Sequence, residues 1–162
     1  MRHRLYIETS FWKRLTDPSD PERRRISYSF LRTIAGRDQI LISSVVREEL
    51  RDTPDAEERK TLFRRLSGVR PRTITTTPRV GRIARDLLSL GGWGARRVAD
   101  VLHVSYAVFA RADALVSWDV HDLARERMRE VARTFGRMQG VPVPWIGTPQ
   151  EVAEWLELPR IR

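Results

Sequence analysis

The sequence contains no cysteine among its 162 residues. Disulfide bonds and thiolate metal sites are therefore excluded, and any bound metal ion would need oxygen or nitrogen ligands. A chain of this length can bury a substantial core without cross-links, so a single domain over residues 1–162 is expected. The lack of cysteine also agrees with a reducing cytoplasm.

Long apolar runs are missing as well. No stretch approaches the roughly 18 consecutive apolar residues of a membrane span. The basic start, MRHR, is followed by only a few apolar residues before Glu8, which is too short for a secretory signal. We therefore expect a soluble, cytoplasmic protein that does not enter a membrane.

Lysine is scarce, since it occurs only at positions 13 and 60, yet the chain is strongly basic. Lysine and arginine together number 30 against 21 acidic residues, a formal net charge of +9. The excess predicts an acidic partner, either nucleic acid or an acidic protein segment. Genome composition is the alternative explanation for so much arginine. The clusters Arg23–Arg25, Arg64–Arg65 and Arg96–Arg97 are candidate contacts, with solvated faces as the ordinary alternative.

A glycine-rich phosphate loop is not found after the first strand-like segment. No G-x-G-x-x-G occurs there, and the glycines within 91–94 precede a helix but follow no strand. A Rossmann-type nucleotide binder is therefore poorly supported.

Strand-like and helix-like segments alternate along the chain. Apolar, β-branched stretches predict strands over 5–9, 39–43, 72–76 and 114–118, with a last extended segment over 141–148. Helical spacing or capping residues predict helices from Pro21, over 44–55, over 55–66, from Thr77, over 96–112, near 122–135 and from Thr148, where T-P-Q-E fits a capping box. The alternation predicts an α/β fold, with a short, mainly parallel central sheet between two helical layers.

Carboxylates follow three of the predicted strands. Glu8 comes directly after LYI, Glu48 and Glu49 lie one helical turn past LIS, and Asp119 follows LVSW. Asp100 stands in the first turn of the most apolar helix. In parallel sheets, sites gather beyond the carboxyl ends of the strands. A buried carboxylate without a partner is costly, so these acids require compensation.

A shared divalent cation would compensate all of these acids at once. With oxygen ligands and no cysteine, the expected ion is Mg²⁺ or Mn²⁺, and the expected chemistry is phosphodiester hydrolysis by metal-activated water. Each acid also has a structural alternative. Glu48 and Glu49 could be solvated helix residues, Asp119 a turn residue or N-cap, and Asp100 an N-cap paired with Arg96 or Arg97.

Three motifs in order, YIETS, ISSVVREEL and ADVLHVSYAVFARADALVSWD, resemble the PIN-domain ribonucleases, and among them the VapC-type toxins of bacterial and archaeal toxin–antitoxin systems. The resemblance spans residues 4–125. It implies a PIN-like three-layer α/β/α fold and a metal-dependent endoribonuclease that acts as the toxin of a toxin–antitoxin pair. It also implies RNA as substrate, a cognate antitoxin as partner and a homodimer.

The same resemblance implies roles for individual residues. The catalytic and metal-binding acids would be Glu8, Glu49, Asp100 and Asp119. Glu49 matches better than Glu48, because the family acid directly precedes an apolar residue, here Leu50. Thr9 and Ser117 match the hydroxyl positions that orient the metal or its water. By their places beside the acids in the sequence, Asp122, His121 and Glu48 are further candidates to support the metal or contact substrate. His103, three residues after Asp100, is expected to be a hydrogen-bonded core histidine, with contact to the leaving group as the alternative.

Two further expectations follow from the resemblance. The first acid is Glu8 where the family usually has aspartate, so the alternative is a PIN-like module that acts through protein or RNA binding with little cleavage. In VapC-like proteins the antitoxin docks near the helix pair that corresponds to 21–35 and 55–66. Some apolar surface is therefore expected to be exposed there.

Overall fold

The computed structural model describes residues 2–158 of the chain. Its centre is one sheet of five strands in the order β3-β2-β1-β4-β5, and every neighbouring pair is parallel. The strands are β1 (Arg4–Ile7), β2 (Gln39–Ser43), β3 (Arg72–Ile74), β4 (Ala114–Val116) and β5 (Trp145–Gly147). The predicted parallel sheet is confirmed, and β1 lies at its centre.

Helices cover both faces of the sheet. They are α1 (Thr9–Arg14), α2 (Pro21–Ile34), α3 (Ser44–Arg51), α4 (Ala56–Val69), α5 (Pro78–Gly91), α6 (Val98–Phe109), α7 (Glu126–Gln139) and α8 (Pro149–Trp155). α5 packs against α6 and α7, whereas α1, α2, α3, α4 and α8 pack among themselves. The result is the expected three-layer α/β/α arrangement. Within residues 2–158, no helix has the length and apolar character needed to cross a membrane.

The strands read as nearly continuous apolar runs because a parallel sheet is buried on both faces. Leu5, Tyr6 and Ile7 of β1 are fully buried, as is all of β4. The polar residues that follow these strands meet at the carboxyl-terminal edge of the sheet, because all of the strands are parallel.

The first strand is shorter than predicted. The expected strand over 5–9 includes Glu8 and Thr9, but β1 ends at Ile7 and α1, which was not predicted, begins at Thr9. The reason is a cap: Glu8 has extended backbone, and its side chain accepts a hydrogen bond from the backbone N–H of Ser10. A capping side chain of this kind satisfies a helix donor that otherwise has no partner.

Other boundaries also shifted for local reasons. The helix predicted over 44–55 ends at Arg51, shortly before Thr53-Pro54, where a residue preceding proline disfavours helix. The apolar helix predicted over 96–112 begins as a 3₁₀ turn, Ala95–Arg97, and α6 ends at Phe109. The helix predicted near 122–135 starts only at Glu126, because residues 119–122 form a turn. The capping box of Thr148 and Glu151 is confirmed.

The helix pair α2 and α4 does not present the apolar surface that was expected. The large apolar side chains that are exposed within residues 2–158 are Val98, Val120, Met138 and Trp155, and none lies on either helix. Arginines cover nearby aromatic rings instead: the Arg65 guanidinium lies 5.2 Å from the Tyr28 ring centre and that of Arg47 lies 5.8 Å from Phe63. The expectation of an exposed apolar docking face at this helix pair is therefore wrong.

Candidate active site

The predicted acids lie where the central strands end. Glu8 directly follows β1, Glu49 lies on α3 immediately after β2, and Asp119 follows β4 by three residues. Because β2 and β4 flank β1 in the sheet, these three segments are neighbours in space. Asp100, in the first turn of α6, completes the set of predicted acids.

Glu8 is held by the residue two positions further on. Its side chain is buried, with only 4% exposure. The Ser10 backbone N–H donates to Glu8 Oε2 at 2.9 Å, and the Ser10 hydroxyl donates to Oε1. Ser10 Oγ also accepts the Trp118 N–H at 2.8 Å. Ser10 therefore ties the ends of β1 and β4 together. This role of Ser10 was not predicted, although Ser10 is the last residue of the E-T-S motif.

Thr9 and His103 hold Glu49. The Thr9 hydroxyl donates to Glu49 Oε2, and His103 Nε2 lies 3.4 Å from the same oxygen. Glu48, its neighbour on α3, is exposed to solvent. The structure thus brings Glu49, and not Glu48, to the end of β1. This is the choice that the match at Leu50 implied.

His103 is buried, as expected for a core histidine, but it also links the core to the acids. Tyr6 Oη donates to Ser43 Oγ at 2.8 Å, so the Tyr6 oxygen accepts from His103 Nδ1, 2.9 Å away. With a Glu49 carboxylate oxygen 3.4 Å from Nε2, a proton on either ring nitrogen has an acceptor. The arrangement therefore favours the imidazolium form of His103.

The electrostatics of His103 agree with this protonation. Burial alone would lower the pKa of His103, but the hydrogen bond to Glu49 and the negative charges of Glu8, Glu49 and Asp100 outweigh it and raise the pKa above its ordinary value. Burial likewise favours a higher pKa for Glu49, yet the bonds from His103 and Thr9 lower it. Three of the four predicted acids thus contribute to the raised pKa of His103.

Arg97 occupies the other side of the site. Its guanidinium Nη1 lies 3.6 Å from Asp100 Oδ2 and also contacts Asp122 Oδ1. Burial raises the pKa of Asp100, and the negative charges of Asp119 and Asp122 add to this effect more than Arg97 offsets it. The alternative in which Asp100 pairs with Arg97 is therefore observed, although Asp100 lies inside the first turn and not at the N-cap.

Asp119 closes a turn, as its structural alternative proposed. Its Oδ1 accepts the backbone N–H of His121 at 3.2 Å and of Asp122 at 2.9 Å. The Asp119 N–H in turn donates to Ser117 Oγ at 2.9 Å. Ser117 thereby fixes the start of the turn, and Asp122 is directed toward Arg97. His121 is exposed beside them.

Comparison with known proteins supports the fold. No protein-family model matches the sequence, and no curated protein matches it significantly. Among solved structures, the chain is similar to one from the crystal structure of VapBC2 from Rickettsia felis bound to a DNA fragment from their promoter, with a TM-score of 0.58 and 18% identity. The match covers 90% of this chain and 98% of that chain. The fold is a PIN-like three-layer α/β/α fold.

The acids of this PIN-like fold do not form a ready-made metal cluster. Within residues 2–158, no three acidic or histidine side chains are grouped closely enough to hold a metal ion. Each carboxylate is directed at a local donor: Ser10, Thr9, Arg97 or the backbone of the 119–122 turn. The donor set nevertheless fits a hard divalent cation, because it consists of carboxylate oxygens. Burial and the negative charges of Asp119 and Asp122 raise the pKa of Asp100, and a bound cation would neutralise part of this negative charge.

Proposed function

We propose that this chain is a metal-dependent endoribonuclease that hydrolyses RNA phosphodiester bonds as the toxin of a toxin–antitoxin pair. The observation that carries the proposal is the placement of Glu8, Glu49 and Asp119 after the adjacent parallel strands β1, β2 and β4, with Asp100 in the first turn of α6. Glu8 also caps α1 and Asp119 closes a turn, but a neutral serine or asparagine could fill either local role. The use of carboxylates at all of these positions has a functional explanation as a cation site.

In this proposal Glu8, Glu49, Asp100 and Asp119 hold one or more Mg²⁺ or Mn²⁺ ions. When bound, such an ion activates water and stabilises negative charge on the phosphoryl group. The chain's own residues orient the acids: Ser10 fixes Glu8 and Thr9 fixes Glu49. Ser117 fixes the turn at Asp119. The supporting positions that remain are Asp122, which pairs with Arg97, and the exposed residues His121 and Glu48.

The toxin assignment is supported from two sides. The ordered motifs resemble VapC-type toxins, and the fold is similar to a chain of a VapBC2 structure. We extend the proposal to a cognate antitoxin partner, a homodimer and action in the cytoplasm. Because no large apolar side chain of α2 or α4 is exposed within residues 2–158, the proposal does not assign antitoxin docking to that helix pair.

Cleavage of a labelled structured RNA by the purified chain tests the proposal. Cutting is expected with Mn²⁺ and should be absent with EDTA, and calorimetry in parallel should detect Mn²⁺ binding to the apo protein. Cutting that is unaffected by EDTA would contradict the metal-dependent mechanism.

A binding module is the second candidate, and one observation favours it: the acids point at local donors and not at a common ion position. Such a module need not bind a cation. Absence of both cutting and Mn²⁺ binding would support this candidate and overturn the nuclease. Binding without cutting would retain the metal site and direct the search to other RNA substrates.

Arg97 should oppose metal binding. Its positive charge contacts Asp100 and Asp122, so a divalent cation must displace or tolerate it. We expect Arg97→Gln to bind Mn²⁺ about three- to tenfold more tightly by calorimetry. Arg96→Gln removes the same charge from the neighbouring exposed position and serves as the matched control. Equal Mn²⁺ affinity in the two variants would show that Arg97 does not compete with the ion.

A further inference from the structure

A cavity lined by arginine lies between the start of the sheet and the end of α6. Its volume is about 390 Å³, and its basic lining residues are Arg4, Arg72 and Arg111. Threonines 73, 75 and 77 add hydroxyl groups, and no acidic residue lines it. Three guanidinium groups and hydroxyls around one cavity suit an anionic ligand, because both are donors to phosphate oxygens.

Arg4 carries an unused donor at this cavity. Its Nε is buried and has no hydrogen-bond partner. The Asp113 carboxylate bonds the Arg4 backbone and not its side chain, since Asp113 Oδ2 accepts the Arg4 N–H at 2.7 Å. A buried donor without a partner costs free energy unless a ligand satisfies it. The arginine side chain therefore points to a ligand that the protein alone does not supply.

A second cavity continues the first. Its volume is about 320 Å³, and it shares Phe109 and Arg111 with the first cavity. Arg79 and Arg82 of α5 add two further positive charges, against the single carboxylate of Asp86. Within residues 2–158, no ion pair joins an acidic side chain to any of the arginines of these two cavities. We call this surface the arginine groove: Arg4, Arg72, Arg79, Arg82, Phe109 and Arg111.

We propose that the arginine groove binds the phosphate backbone of a single-stranded RNA. Successive positive positions over two adjoining cavities fit a ligand with repeated phosphates, and the half-buried Phe109, which lines both cavities, adds an aromatic side chain that a base could contact. An acidic peptide would use the charges but would leave the aromatic side chain without a role.

The arginine groove is distinct from the acids. Arg111 lies beyond the carboxyl end of α6, whereas Asp100 lies in the first turn of that helix. The helix from Asp100 to its end at Phe109 spans roughly 14 Å, so an RNA strand bound at the groove need not touch the acids. The proposal therefore goes beyond cleavage, and it can hold even if the chain does not cut RNA.

Binding of a labelled single-stranded RNA in EDTA tests the groove without cleavage. The variant is the double substitution Arg72→Gln with Arg111→Gln, both at exposed positions. The control is Arg32→Gln with Arg51→Gln, which removes the same charge from exposed positions of α2 and α3 outside the arginine clusters. We expect the groove variant to bind about tenfold more weakly than the control. Because each contact to a single strand contributes about 0.7 to the slope of log K against log salt, the slope should fall by about 1.4.

The remaining outcomes are equally decisive. Equal loss in groove and control variants, or no RNA binding by the unaltered chain, would overturn the proposal. DNA of the same sequence serves as a second arm: equal binding with the same loss supports recognition of the backbone alone. If polyglutamate displaces the RNA and binds as tightly, with the same dependence on Arg72 and Arg111, the groove belongs to an acidic protein segment and the RNA proposal fails.

Discussion

Replacement of Asp100 by asparagine should abolish metal-dependent RNA cleavage while the apo protein keeps or gains stability. The carboxylate is half-buried, and this burial, together with repulsion from Asp119 and Asp122, raises its pKa. Its ionised form is therefore a net cost to the folded state near neutral pH, which the neutral amide removes. A metal ion, however, needs that negative charge. Loss of several kcal/mol of transition-state stabilisation corresponds to a rate at least about 100-fold lower.

Two measurements on the same protein separate the roles of Asp100. Initial cleavage rates in Mn²⁺ report function, and thermal unfolding in EDTA reports stability. Asp52→Asn is the matched control, because it makes the same chemical change at an exposed position beyond α3. A cleavage rate within tenfold of the unaltered chain would remove Asp100 from the active site. A large drop in melting temperature would instead make Asp100 a structural residue that Arg97 stabilises.

The fold was predictable because its signals are local and repeated. Short β-branched runs alternating with helical spacing require parallel strands with helices between them, and this pattern does not depend on any one contact. The failures occurred where one side chain decides the local structure. Glu8 caps α1 and ends the first strand early, and Asp119 closes a turn that delays α7. Residue type does not distinguish these local roles from metal binding, because a carboxylate can accept backbone N–H groups or bind a cation.

The candidate site was predictable in part for a similar reason. Strand ends place Glu8, Glu49 and Asp119 together once the sheet order is given, but the partners of these acids come from elsewhere. Ser10 and Tyr6 act through geometry that has no signature in sequence. The arginine groove lies beyond prediction altogether. Its residues come from separate parts of the chain, and none belongs to the arginine clusters that the sequence made conspicuous.

Replacement of His103 by leucine should lower the free energy of unfolding, because His103 joins the buried Tyr6 hydroxyl to Glu49. Leucine can occupy the interior position, but Glu49 loses its cationic partner and the Tyr6 oxygen loses a donor. A broken buried hydrogen bond to a charged group costs about 2 to 3 kcal/mol of the free energy of unfolding. Combining His103→Leu with Glu49→Gln completes a double-mutant cycle, in which we expect a coupling energy of about 1 to 2 kcal/mol.

The stabilisation that His103 contributes should depend on pH, because the neighbouring carboxylates raise the pKa of His103 in the folded chain. The pKa of His103 is raised above 6.5 in the folded chain, so its contribution is complete below that pH and is lost as the pH rises through the folded value. The pKa of Glu49 is lowered below 4.5, so its contribution is present above that pH and is lost as the pH falls. The difference in unfolding free energy between the unaltered chain and His103→Leu, measured in EDTA, should therefore be greatest between pH 4.5 and 6.5 and decline on both sides. A difference that does not decline above pH 6.5 or below pH 4.5 would mean that His103 packs as a neutral ring, and its charge pairing with Glu49 would be contradicted.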